Sequence, residues 1–158
     1  MNTISHNPEL WPVFVKSVEG KRLPGRVIGS VKDLVGMGSY YEDQPIICSE
    51  VVDFVAEWRV FVRYGQVEAV KQYLGDWHYH YDPHFIENCL RDYHSQPAGF
   101  SLDIGVDKNS TTMLVEINEG YSLGAYGLFA TDYAKLLSAR WAELTKTNDE
   151  CSFDLKID

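Results

Sequence analysis

The chain has 158 residues and a formal net charge of −9 at pH 7. That length builds one real core, or at most two small lobes sharing a cleft, and the acidic balance excludes a broad nucleic-acid-binding face, which needs clustered Lys and Arg. No stretch approaches the roughly 18 apolar residues of a membrane span, the N-terminus is no signal peptide, and the isolated Cys48, Cys89 and Cys151 fit a reducing cytoplasm rather than a disulfide framework.

Residues 1 to 10 are polar and read as an irregular lead-in. Trp11 to Val18 reads as a strand, with Val13 and Val15 on one face and Phe14 and Lys16 on the other. A lysine inside a short apolar strand either snorkels to water or meets an anion. The next stretch, GKRLPGRVIGS, spaces Gly20, Gly25 and Gly29 among Lys21, Arg22 and Arg26. It is either an ordinary basic turn or a backbone that approaches phosphate closely; the Walker A pattern is absent. Ser30 is placed to cap a short helix, with Asp33 three residues on. Residues 36 to 45 read as a loop.

Ile46 to Val55 is apolar and β-branched, a buried strand. Ala56 to Tyr64 is a second strand, Gly65-Gln66 a turn, and Val67 to Tyr73 the return strand of a hairpin. The register of this hairpin is open, so Arg59 and Lys71 are not assigned to one face. Glu57 has an ion pair with Arg63 or Lys71 as its plain structural reading. Residues 74 to 97 hold LGDWHYHYDPHF and a helix over Pro83 to Tyr93. His78, His80, Asp82 and His84 leave three readings: an aromatic loop, a metal site, or a pocket for an acceptor substrate.

Residues 98 to 120 form the second hairpin. Phe100, Leu102, Ile104 and Val106 alternate with Ser101, Asp103 and Gly105, while Met113, Val115 and Ile117 alternate with Leu114, Glu116 and Asn118. A turn centred on Asn109 and Ser110 sets Asp103 opposite Glu116 and Ser101 opposite Asn118. Directly opposed side chains have Cβ atoms roughly 4.5–5.5 Å apart, and like charges there are destabilising. The pair is either a solvated face or a seat for a cation. Hard oxygen donors suit Mg²⁺ or Mn²⁺. EGYSLGAY then reads as a loop. Leu128 to Thr145 reads as an amphipathic helix packing through Ala130, Tyr133, Leu137, Ala139, Trp141 and Leu144. In the tail, Phe153, Leu155 and Ile157 alternate as an edge strand would.

An Asp on one strand followed by Glu-x-Asn and a Gly-containing loop on the next, here Asp103 and the string VEINEG, resembles the metal-binding end of the ATP-grasp fold. The resemblance extends upstream in the family's order, through Lys16, Glu50, Glu57 and Lys71, and covers about Pro12 to Thr145. It implies an α+β, ATP-grasp-like fold: two small lobes with antiparallel sheets and helices enclosing a nucleotide cleft, divided as 1–49 and 50–158. It also implies site roles. Lys16 would reach the ATP phosphates under the glycine loop. Glu50, Val52 and Asp53 would line the adenine end, and Glu57 would bind the ribose hydroxyls, whose two donors suit an acceptor-only carboxylate. Asp103, Glu116 and Asn118 would hold Mg²⁺, or Mn²⁺. Arg59 and Lys71 would face the transferred phosphate; the family more often has Arg at the latter position, and Lys keeps the charge without the two-pronged fork.

The activity this implies is an ATP- and Mg²⁺-dependent ligase that joins an unidentified carboxylate to an amine or thiol through an acyl-phosphate, in the cytoplasm. The alternatives are a non-catalytic nucleotide-binding or regulatory module, and a structural β-rich interaction domain. Only 15 residues precede Lys16, where the family usually has a further domain. The acceptor apparatus is therefore reduced, absent, or supplied by a second copy or a partner subunit. Neither nucleic acid nor membrane is expected as a partner.

Overall fold

The computed structural model describes residues 1–18, 24–37 and 43–153. The chain divides into two compact units, Met1–Val52 and Asp53–Asp158. Both are built on antiparallel sheets, with three α-helices among the described residues. None of the described helices is long and apolar enough to cross a membrane.

The first unit is a three-stranded sheet of β1 (Val13–Ser17), β2 (Arg26–Ile28) and β3 (Ile46–Ser49), with β1 central. Strand alternation sends Val13 and Val15 into a core with Ile4, Ile28 and Met37. Residues expected to be irregular form α1 (Asn2–His6) and a 3-10 turn at Pro8–Leu10. The reason is burial: Ile4 joins the core, and Trp11 Nε1 donates to its carbonyl at 3.0 Å. The Ser30 cap is present. Asp33 Oδ2 accepts from Ser30 N at 2.8 Å, Ser30 Oγ at 2.9 Å and Gly29 N at 3.1 Å. The Gly29 and Ser30 hydrogen bonds lower the Asp33 pKa. The capped element, Val31–Leu34, is a 3-10 turn rather than an α-helix.

The second unit is a four-stranded sheet in the order β5-β4-β6-β7: β4 (Phe54–Arg63), β5 (Gln66–Gly75), β6 (Gly99–Asp107) and β7 (Thr112–Glu119). Its central strands carry the apolar side chains. On one face Trp58, Val60, Val62, Phe100, Leu102 and Ile104 pack with Ile86 and Phe85 of α2 (Pro83–Asp92). The single strand expected over Ile46 to Val55 is two: β3 ends at Ser49 and β4 begins at Phe54. The β4–β5 turn is Tyr64-Gly65, one residue earlier than expected. Both have positive φ, +48° and +74°, the twist that a two-residue hairpin turn requires.

Helix α3 (Ala130–Thr145) lies on the opposite face. Its buried residues are Leu136, Ala139 and Ala142; Ala130, Trp141 and Leu144 are exposed, against expectation. The selection is steric. A Cβ on Gly99 would stand 2.4 Å from the Leu136 carbonyl oxygen, so the helix backbone rides directly on β6 and only small residues fit there. Leu136 packs with Phe61, Leu123 and Leu128. After α3, Asp149 accepts from Ser138 Oγ at 2.5 Å, Tyr64 OH at 2.8 Å and Arg63 Nη2 at 3.3 Å. The edge strand expected beyond Phe153 lies outside the described residues.

Candidate active site on the four-stranded sheet

Antiparallel pairing places directly opposed residues on one face. Arg59 pairs with Lys71 on β5 and with Asp103 on β6; Asp103 pairs with Glu116 on β7. Lys71, Arg59, Asp103 and Glu116 therefore form one row across the sheet, two cations beside two carboxylates. Asn118, two residues beyond Glu116, stands opposite Ser101. The hairpin register is the one expected from the sequence on this side. Past Asp103 it shifts by one through an irregularity at Val115. That shift moves Leu114 to the α2 face with Ile117 and leaves Met113 on the face of Glu116, which corrects the unbroken alternation.

Arg59 and Asp103 are the buried centre of the row, 6% and 3% exposed. Arg59 Nε donates to Asp103 Oδ1 and Nη2 to Oδ2, both at 2.7 Å, a two-pronged charge-assisted contact. Asn118 Nδ2 donates to the same Oδ2 at 3.1 Å. Burial alone would lower the Arg59 pKa, but the Asp103 hydrogen bonds and charge outweigh it and the net shift is upward.

Two tyrosines complete the surroundings, and the sequence reading missed both. Arg59 Cζ lies 4.6 Å from the Tyr126 ring centroid and 6.0 Å from that of Tyr73, and the two rings stack at 4.9 Å. The Gly124 carbonyl accepts from Nη1 at 3.4 Å. The loop carrying Gly124 and Tyr126 is pinned by buried Leu123 and Leu128, and by Tyr133 OH donating to the Leu123 carbonyl at 2.6 Å. Tyr73 OH donates to Glu57 Oε2 at 2.5 Å. Burial first, then this bond and the charges of Asp103 and Glu57, push the Tyr73 pKa strongly up. Its place two residues after Lys71 was the available signal; Tyr126 had none, because a loop position has no period.

The remaining expected residues lie elsewhere. Lys16 is half-buried on β1 of the first unit, opposite Ile47. Its face of that sheet also carries Phe14, Val27 and Ile47, the last two exposed. Glu50 is exposed and Val52 half-buried after β3, and Asp53 is exposed just before β4. Of the glycine stretch, Gly20, Lys21 and Arg22 fall outside the described residues. Asp82 serves as the α2 cap, accepting from His84 N at 2.9 Å, while Asp76 holds His78 at 2.6 Å and Glu87 holds His84 at 3.0 Å. The Glu87 hydrogen bond and charge raise the His84 pKa. Among the described residues no group of three His, Cys, Asp or Glu side chains is placed to hold a metal. A hairpin metal site would use two carboxylates and an amide. That donor set is hard and fits Mg²⁺ or Mn²⁺, and Asp103 already holds a cationic group on both oxygens.

Two antiparallel sheets, the second carrying a cation pair beside a carboxylate pair, define an α+β fold of the ATP-grasp type. The chain belongs to the ATP-grasp domain family, in family 2 of its clade, whose model matches residues 1–136. Among solved structures it is similar to the macrocyclase MdnC from Microcystis aeruginosa MRC, bound with its precursor peptide MdnA. The TM-score is 0.52 at 15% identity, over 92% of this chain and 50% of that one. It is also similar to the ATP-grasp ligase PsnB, complexed with a phosphomimetic variant of a minimal precursor, Mg and ADP. There the TM-score is 0.48 at 17% identity, over 90% of this chain and 50% of that one. The chain thus spans about half the length of these structures. No curated protein matches it.

Proposed function

We propose that the chain is the nucleotide- and metal-binding part of an ATP-dependent ligase that activates a carboxylate as an acyl-phosphate. The observation that carries this reading is the row Lys71–Arg59–Asp103–Glu116 on one sheet face of an ATP-grasp domain. A phosphoryl transfer needs positive charge around the moving group and little covalent help from the protein. In the reaction, a carboxylate oxygen attacks the γ-phosphorus of ATP and ADP leaves. An amine or thiol then attacks the acyl carbon, phosphate leaves, and the nucleophile gives up its proton.

Asp103, Glu116 and Asn118 would hold Mg²⁺ or Mn²⁺, which supplies charge neutralisation at the phosphates when bound. Lys71 and Arg59 are the side-chain cations of the same face. Glu57, held by Tyr73 OH, is the ribose acceptor. Lys16 contributes a phosphate contact from the first unit, and Glu50, Val52 and Asp53 belong to the adenine end. The test is ADP and phosphate release across a panel of amino acids, peptides, amines and thiols. Lys71→Ala should slow turnover more than it weakens ATP, because charge on the transferred group is redistributed toward the transition state. Tight Mg²⁺-ATP binding without turnover on any acceptor would replace the ligase with a nucleotide-binding module.

A further inference from the structure

The four residues of the row are electrically balanced as folded. Lys71 and Arg59 are cations; Asp103 and Glu116 are carboxylates. A polyphosphate approaching such a row gains little from it, because the carboxylates cancel the cations at close range. Arg59 is also committed, with both prongs on Asp103 at 2.7 Å. Yet its guanidinium has a second seat that does not depend on Asp103: the Tyr126 ring at 4.6 Å, the Tyr73 ring at 6.0 Å, and the Gly124 carbonyl at 3.4 Å. A guanidinium over stacked aromatic faces is held as a cation without a carboxylate. Asn118 presents its amide N–H, not its oxygen, to Asp103. Asp103 is thus surrounded by donors, the arrangement of a carboxylate awaiting a different cation.

Resting on the ligase reading above, we propose that Arg59 is the resident counter-cation of this carboxylate pair. It gives up Asp103 when a divalent cation binds there, and stays on the Tyr73–Tyr126 seat as a charge available to phosphate. The exchange changes the charge of the row. With Asp103 and Glu116 neutralised by a divalent ion, Lys71 and Arg59 are no longer offset. Metal and nucleotide then favour each other, and the coupling is reciprocal. The nucleotide without metal meets the closed, balanced row. A purely structural Arg59 would keep its Asp103 contact in every ligand state.

The direct test follows the Arg59 Nε–H resonance in wild-type protein labelled on arginine nitrogen. In metal-free buffer the buried Nε–H bonded to Asp103 should be protected from exchange with water, and ADP alone should leave it unmoved. Mg²⁺ with ADP should shift it and remove the protection. Mg²⁺-dependent ADP binding with an unmoved Arg59 signal would overturn the exchange and leave the site reading standing. ADP binding indifferent to Mg²⁺ would overturn the site reading and the exchange with it.

A second measurement uses Arg59→Gln and the spin-resonance signal of free Mn²⁺, without nucleotide. If Asp103 is free of Arg59 less than about one-tenth of the time, removing the competitor tightens Mn²⁺ by about tenfold or more. Equal or weaker Mn²⁺ binding by a folded Arg59→Gln protein would contradict the proposal. If that variant does not fold, the resonance experiment on wild-type protein decides.

Discussion

Asp103→Asn tests the centre of the row by changing one atom's chemistry and almost no volume. Both partners are more than nine-tenths buried, and the contact is two bonds of 2.7 Å. The asparagine oxygen can keep one of them. Its NH₂ group then faces the second Arg59 N–H, donor against donor, and the guanidinium loses its buried counter-charge. Breaking a buried pair from one side costs about 3–5 kcal/mol, and one lost charge-assisted bond about 1.5–3 kcal/mol. Because Asn retains an acceptor, the lower end applies, about 3 kcal/mol. For a chain of this size that is a fall in Tm of roughly 6–12 °C. Urea unfolding followed by circular dichroism, in buffer with a chelator so that no metal takes over the carboxylate, gives the value from the midpoint at unchanged m. A loss below about 1 kcal/mol, the range of an exposed pair, would refute the burial and pairing on which the site rests.

Other outcomes follow from the same geometry. Gly99→Ala should cost at least about 1–3 kcal/mol, as overpacking does, because the new Cβ meets the Leu136 backbone oxygen at 2.4 Å; a tolerated alanine would mean α3 does not ride on β6. Asp149 is lowered in pKa: burial works to raise it, but the hydrogen bonds of Ser138, Tyr64, Cys151 N and Arg63 prevail. Its stabilisation is therefore present above the ordinary carboxylate value and is lost as pH falls below it. Asp149→Asn should flatten the acid limb of a stability–pH curve below about pH 4; an unchanged limb would remove Asp149 from the account. Glu57→Ala should weaken ATP more than tripolyphosphate in calorimetric titrations, since only ATP offers a ribose, and equal losses would end the ribose assignment.

The parts legible in the sequence are those with a period. Alternation along Phe100 to Val106 placed the second hairpin, and the polar run at Asp107 to Thr111 set Asp103 against Glu116, as found. What the sequence concealed was one added residue at Val115, since a bulge leaves composition unchanged while it reverses which side chains face α2. The α3 face was misread for another reason. Helical periodicity weighs large apolar residues, whereas the close approach to Gly99 selects Ala139 and Ala142 and leaves Trp141 outside. The cation pair was readable as residue types but not as neighbours, because the hairpin register depends on a turn at Tyr64-Gly65 in which a tyrosine adopts positive φ. Tyr126, on a loop, became visible only through its contact with Arg59.

The central claim is that the carboxylates on β6 and β7 bind a nucleotide through a divalent cation, and Glu116 tests it with least disturbance to the Arg59–Asp103 pair. The measurement is calorimetric titration of ADP into wild type and Glu116→Gln, each with and without Mg²⁺. The account predicts that wild type binds ADP only with Mg²⁺, and that Glu116→Gln keeps its fold but weakens Mg²⁺-ADP by about tenfold or more, the loss of one charged ligand at about 1.4 kcal/mol or greater. Equal Mg²⁺-ADP affinity in the two proteins would contradict it.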